Sequence, residues 1–247
     1  MYTVDDVGAV FTNCLFSEFT RRALGSVLLH YPRMECVVVD DACRDDGGEI
    51  ERAVKSFGVP LLRNDRRRGT GRSIDRGLRA LTTPLFITVD HGCEIRKVGV
   101  VEMLLAKMNQ NPNFVCVGRI RGDKMCNRAW GPYVDPVFAL WDREFIMANP
   151  ELSFKLTNVT VGDDWHVDGC STAQFLEYRS VRLGRELGFI RPGALYQYIR
   201  HHKTPHTRGR CASPHELVEI DEDYLPPRLR RPDGTLRYKG KKPRRRL

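Results

Sequence analysis

Short apolar runs recur along the first ninety residues, with amphipathic stretches between them. Residues 7–11, 34–39, 59–62 and 85–89 are brief and mostly aliphatic or aromatic. Runs of that length and composition suit strands buried on both faces. Between them, 18–30, 49–57 and 73–81 repeat apolar residues at helical spacing, as Phe19, Ala23, Val27 and Leu28 do in the first. Ser17 is placed to cap that helix and Pro32 to stop it; Gly58 closes the second. The order β-α-β-α-β-α-β predicts an α/β three-layer sandwich with a mostly parallel central sheet.

Two of the runs end abruptly in acid: Val37-Val38-Val39-Asp40-Asp41 and Phe86-Ile87-Thr88-Val89-Asp90. Open α/β sheets bind ligands at the C-terminal ends of their strands. Two such ends side by side predict an acidic floor for a phosphate-bearing ligand and its metal.

Beyond Asp90 the rhythm changes. Residues 98–109 read as a helix and 114–120 as a strand. Residues 121–136 read as an irregular aromatic loop, and 137–147 as a strand passing into a helix. Residues 162–165 form an acidic turn. A helix is expected over 174–187, ended by Gly188, then a strand over 189–199 leading to His201 and His202. Trp141 is expected in the core. Trp130 and Tyr133, in the loop, are free to line a pocket, where aromatic rings stack on sugars or bases.

Charge changes the picture at one place. The chain holds 40 Lys/Arg and 31 Asp/Glu, a net +9. Residues 225–247 carry ten of the basic residues against Asp233 alone, so the rest of the chain is neutral. A neutral body of 1–224 with a flexible basic tail over 225–247 suits a polyanionic partner, or a tail that only aids solubility. No window approaches the roughly 18–20 apolar residues of a membrane span. The N-terminus has no signal-like pattern. None of the eight cysteines forms a C-x-x-C pair, which speaks against a zinc site and for reduced thiols. The expectation is a cytoplasmic protein without a transmembrane segment.

Six motifs in order give a resemblance. Thr12-Asn13-Cys14 stands after the first strand, Asp40-Asp41 after the second. Arg63-Asn64, Arg68-Gly69 and Asp75-Arg76-Gly77-Leu78 follow, then Val89-Asp90-His91-Gly92, Gly162-Asp163-Asp164-Trp165 and His201-His202. Over roughly 7–206 the chain resembles the family 2 glycosyltransferases of GT-A fold. The resemblance implies one GT-A domain, with 1–95 as the nucleotide-sugar half and 96–224 as the acceptor half. It implies an inverting transfer from a nucleoside-diphosphate sugar, UDP-linked by preference, to a hydroxyl. It assigns Asp164 as catalytic base. It puts Thr12, Asn13, Asp41, Arg68, Arg72, Val89 and Asp90 around the nucleotide. Asp90, His201 and His202 would hold Mn²⁺ or Mg²⁺, and Trp130, Tyr133, Asp163 and Trp165 would meet the acceptor.

The physical logic agrees. A divalent cation offsets the charge of a pyrophosphate and acts as Lewis acid on the leaving group. An acid beside another acid, as Asp164 is beside Asp163, suits a general base. One departure stands out: Gly92 occupies the place of the second acid of the family's D-x-D. Three arrangements are open. Asp90 with His91 or the late histidines binds the metal; the metal is held weakly, through the donor phosphates; or the site is degenerate and the domain a polyanion-binding module. The basic tail makes DNA with a hydroxymethylated base one acceptor hypothesis, beside a glycan, lipid or protein. A nucleotidyltransferase is disfavoured, because no glycine-rich loop follows the first strand.

Overall fold

The computed structural model describes residues 1–14, 17–42, 48–121, 133–154, 157–161, 165–167, 173–202 and 216–219. Side chains are described for these except 121, 157–161, 165–167, 174, 175, 178 and 216–219. The basic tail, Trp130, Asp163 and Asp164 lie outside the described residues, and so does the side chain of Trp165.

The first half builds the sheet as its pattern predicts. Strand β1 (Val7–Asn13) is buried at every residue, as is β2 (Cys36–Asp40). β3 (Leu61–Arg63) and β4 (Leu85–Asp90) complete a parallel set in the order β4-β1-β2-β3. Helices α1 (Ser17–His30), α2 (Glu49–Ser56) and α3 (Thr70–Ala80) connect them. The expectation of adjacent acidic strand ends needs correction: β1 lies between β2 and β4. The chain crosses back past its first strand, so Asp40 sits beside Asn13 and Asp90 beside Thr12.

The second half adds β5 (Cys93–Ile95), α4 (Val100–Met108), β6 (Phe114–Arg121), β7 (Tyr133–Asp142) and α5 (Arg143–Ala148). Then come β8 (Thr157–Val161), β9 (Trp165–Val167), α6 (Gln174–Arg182), β10 (Glu186–Ile190), α7 (Pro192–Leu195), β11 (Ile199–His201) and β12 (Glu216–Glu219). The main sheet has seven strands, β10-β6-β7-β4-β1-β2-β3; β7 is antiparallel to both its neighbours and the other pairs are parallel. A small sheet joins β11 to β5, and another joins β12, β8 and β9.

Side-chain alternation splits the core into two layers. Ala9, Phe11, Ile87 and Leu140 face Leu24, Val27 and Leu104 of α1 and α4. Val10, Phe86, Ala139 and Trp141 face Ile74, Leu78 and Leu176 of α3 and α6. Trp141 is buried as expected; its Nε1 donates to Thr88 Oγ1 at 3.0 Å and its ring meets Phe154 edge-on. A Cβ on Gly77 would stand 2.4 Å from Val10 Cγ1, so only glycine lets α3 seat this closely on β1. No helix among the described residues is long and apolar enough to cross a membrane.

Three expectations for the second half are corrected. The strand β7 begins at Tyr133, inside the expected loop. Its Val134 pairs Ile120 and its Ala139 pairs Gly118, so residues 135–138 stand opposite Arg119 alone. That bulge accommodates Pro136, which would otherwise break a ladder. Helix α6 ends at Arg182 because Gly184 takes φ +83; Leu187 and Gly188 belong to β10 instead. The single strand expected over 189–199 is divided by α7, where Pro192 starts a helical turn and removes a strand donor.

Candidate active site

The register of the sheet builds one polar floor. Val10 pairs Thr88 and Thr12 pairs Asp90 across β1 and β4. Thr88 pairs Ala139 and Val89 pairs Phe138 across β4 and β7, which leaves Asp90 just past the last paired position of β4. These ends, with Tyr133, Asp135 and Pro136 of β7 and Thr70 and Ile74 of α3, line a cleft of about 220 Å³. Of the residues predicted for the site, Thr12, Val89, Asp90 and Tyr133 line it.

Beside the cleft, the end of β2 organises a loop. Asp41 is 3 % exposed. Its Oδ1 accepts from Arg68 N at 2.7 Å and Asn64 Nδ2 at 2.9 Å, and its Oδ2 from Gly69 N at 2.8 Å. Gly69, at φ +88, supplies the backbone turn that lets consecutive amides reach one carboxylate. Asp40 is buried and accepts from Asn13 Nδ2 at 3.1 Å and Arg63 Nε at 2.9 Å; Asn13 Oδ1 in turn accepts from Thr20 Oγ1. The Arg68 guanidinium pairs with Asp65 at the surface, 2.9 Å away. Arg72 is half-buried on the first turn of α3.

At the end of β4, Asp90 Oδ1 accepts from Gly92 N at 2.8 Å. His91 Nδ1 lies 3.3 Å from that oxygen and His201 Nε2 3.8 Å from it. Burial pushes the Asp90 carboxyl up, but the His201 ring, the charge of His91 and the Gly92 N–H outweigh it. The group therefore sits below the ordinary carboxylate range, an anion at neutral pH. The structure does not bring His202 to the same point: its Nε2 meets Glu94 Oε2 at 2.7 Å and its ring leans on Phe19.

The same region explains Gly92. The strand β11 pairs β5 so that His201 stands opposite Cys93, and His202 N donates to Gly92 O at 2.8 Å. A Cβ on Gly92 would lie 2.8 Å from the His202 carbonyl oxygen and 3.2 Å from His201 Nε2. Backbone and imidazole of the late histidines thus fill the space a side chain at 92 would need. The carboxylate missing from the motif is replaced in space by a ring nitrogen.

Among the described residues no three His, Cys, Asp or Glu side chains form a group that could hold a metal ion. Asp90 and His201 fit a shared cation as two donors. Two atoms each about 2.1 Å from one ion stand roughly 3–4 Å apart, and theirs are 3.8 Å apart. Magnesium-type sites commonly take their remaining ligands from substrate phosphates and water.

Sequence reasoning missed Asp135, Arg119 and Glu177. Asp135 is 2 % exposed, yet it lines the cleft. Its Oδ2 is ion-paired to Arg119, and its Oδ1 accepts from Val137 N at 3.2 Å. An acid just before proline in an apolar run was the one available signal. Glu177 is a buried carboxyl on α6 beneath the cleft wall, where both its oxygens accept from Val134 N, at 3.1 and 2.9 Å. Burial pushes its pKa well above the ordinary value; the Val134 N–H opposes this and the Asp135 charge adds to it. The folded chain therefore keeps a proton that the unfolded chain releases near 4.5. Its contribution to stability is full below that pH and is lost as pH rises toward the folded value. Glu177→Gln keeps an acceptor for Val134 and should flatten this slope, by up to about 1.4 kcal/mol per pH unit. Urea midpoints of both proteins from pH 5 to 8 measure it; parallel curves would contradict the account.

The comparisons agree with this geometry. The family model described as "Glycosyl transferase family 2" matches residues 7–176. No curated protein matches the sequence. Among solved structures, the mannosyltransferase PcManGT of Pyrobaculum calidifontis, in complex with GDP-Man and Mn²⁺, is 14 % identical at a TM-score of 0.57. That match covers 76 % of this chain and 55 % of the other, so the chain spans about half that enzyme's length. Glucosyl-3-phosphoglycerate synthase of Mycobacterium tuberculosis, with Mn²⁺, UDP and phosphoglyceric acid, is 12 % identical at 0.56, covering 81 % and 71 %. TarS of S. aureus is 12 % identical at 0.56, covering 81 % and 37 %. At these identities the likeness speaks for the fold, which is GT-A. With its sheet order, its strand-end acids and a family match over more than half its length, this chain belongs to glycosyltransferase family 2.

Proposed function

We propose that the chain moves a sugar from a nucleoside-diphosphate sugar, UDP-linked by preference, to an acceptor hydroxyl with inversion. The observation that carries this reading is the facing pair Asp90 Oδ1 and His201 Nε2, 3.8 Å apart at the cleft formed by the strand ends. A divalent cation held there, Mn²⁺ or Mg²⁺, would offset the diphosphate charge and stabilise the departing nucleoside diphosphate. Two structural neighbours are complexes that contain Mn²⁺ together with GDP-Man or UDP, which supports a metal-assisted nucleotide-sugar reading.

The chain's own groups divide the remaining work. Thr12 and Val89 flank the donor. Asp41 holds the 64–69 loop at the nucleoside end, with Asn13 braced behind it and Arg68 and Arg72 at its rim. Tyr133 lines the acceptor side, with Trp130, Asp163 and Trp165 assigned there from sequence. Asp164 takes the proton of the attacking hydroxyl as that oxygen bonds to the anomeric carbon and the nucleoside diphosphate leaves. The ten basic residues after position 224 favour a polyanionic acceptor, hydroxymethylated DNA among them.

Incubation with UDP-, GDP- and TDP-sugars tests the reading through release of the free nucleoside diphosphate. Release of UDP that needs Mn²⁺ or Mg²⁺ and stops with chelator is expected. Absence of release from every donor, with no nucleotide binding, would leave a polyanion-binding domain as the better account.

A further inference from the structure

The wall of the cleft beyond Asp90 holds a second carboxylate that the donor reading leaves without a task. Asp135 is buried at 2 % exposure, yet it borders the cleft together with Asp90. Their strands are neighbours. Val89 of β4 pairs Phe138 of β7 in antiparallel register, so Asp90 and Asp135 both lie at the same end of adjacent strands.

The local structure holds Asp135 in place. It lies in the bulge where residues 135–138 of β7 face only Arg119 of β6. Bulges re-aim side chains beside functional sites. The Arg119 guanidinium bonds both the Asp135 carboxylate and the Tyr196 hydroxyl, and its ion stands over the Tyr196 ring. Val137 N donates to the other oxygen. A buried acid oriented by a guanidinium, in the wall of a polar cleft, is suited to hydroxyl groups and not to a phosphate, which it would repel.

Strand order then orders the donor. The nucleoside end lies toward β1 and β2, the diphosphate at Asp90 on β4, and the next unit of the donor falls over β7. We propose that Asp135 accepts hydrogen bonds from the hydroxyls of the transferred sugar and sets which sugar is used, with Arg119 as its positioning residue. This rests on the nucleotide-sugar reading above.

Calorimetric titration with UDP and with UDP-glucose, UDP-galactose and UDP-N-acetylglucosamine, each with Mn²⁺, separates the two claims. The wild-type chain should bind its preferred UDP-sugar on the order of tenfold more tightly than UDP, the yield of one or two hydrogen bonds to a charged acceptor. Asp135→Asn should erase that margin while the affinity for UDP stays within about twofold. Asp135→Glu keeps the charge beside Arg119 and should reorder the three sugars. It serves as the second arm if the asparagine variant loses its fold by circular dichroism. An unchanged wild-type order and margin of sugar preference in either folded variant, or a wild type that binds UDP and every UDP-sugar alike, overturns the role of Asp135 alone. A wild type that binds no nucleotide overturns the donor reading and this inference together.

Discussion

Asp90→Ala is expected to lower kcat/KM for sugar transfer by about 10²–10³-fold and to abolish its dependence on Mn²⁺. A cation that stabilises a leaving diphosphate contributes several kcal/mol, and each 1.4 kcal/mol is a factor of ten. Asp90 is the anionic member of the pair with His201, and its carboxyl is held below the ordinary range. The same side chain also accepts from Gly92 N, so loss of fold must be separated from loss of chemistry. Asp90→Asn answers this, because its carbonyl still accepts from Gly92 while its charge is gone. Both variants should lose activity, and the asparagine variant should keep the wild-type urea midpoint. Unchanged transfer with unchanged metal dependence in Asp90→Ala would remove Asp90 from the site.

Gly92→Asp, which restores the family's second acid, is expected to harm the protein. The new Cβ would meet the His202 carbonyl oxygen at 2.8 Å, and His202 is itself tied to this point by its N–H bond to Gly92 O. Relief requires β11 to move, and His201 moves with it. Such overpacking costs about 1–3 kcal/mol of stability, read as a lower urea midpoint. The displaced imidazole should weaken Mn²⁺ binding, followed by the EPR signal of free Mn²⁺, and transfer should fall at least about tenfold. Tighter Mn²⁺ binding with rising activity would show that the histidines had not taken over the place of the missing carboxylate.

These two results concern the part of the site least readable from sequence. The strand ends were readable because buried parallel strands are apolar throughout, so an acid that ends one stands out, as Asp40 and Asp90 do. Their separation by β1 was not, since strand order is set by crossovers and not by local pattern. Gly92 read as a loss because its reason lies in residues 201 and 202, over a hundred positions away. Asp135 was hidden by Pro136: proline within an apolar run argues against a strand, and only the bulge opposite Arg119 reconciles the two. The helix α6 was drawn too long because Leu187 continues a helical period. Gly184, with its left-handed backbone, had already ended it. Asp164 was legible as a motif, and its role stands as proposed from that motif.

The central claim is that Asp90 and His201 together seat a cation that carries the donor diphosphate. The most direct measurement is a crystal structure of the full chain with UDP and Mn²⁺. The predicted result is a single ion bonded to Asp90 Oδ1 and His201 Nε2, with the diphosphate completing its shell and the uracil beside the Asp41 loop. An ion bound away from both residues, or UDP bound outside the cleft lined by Thr12, Val89 and Asp135, would contradict it.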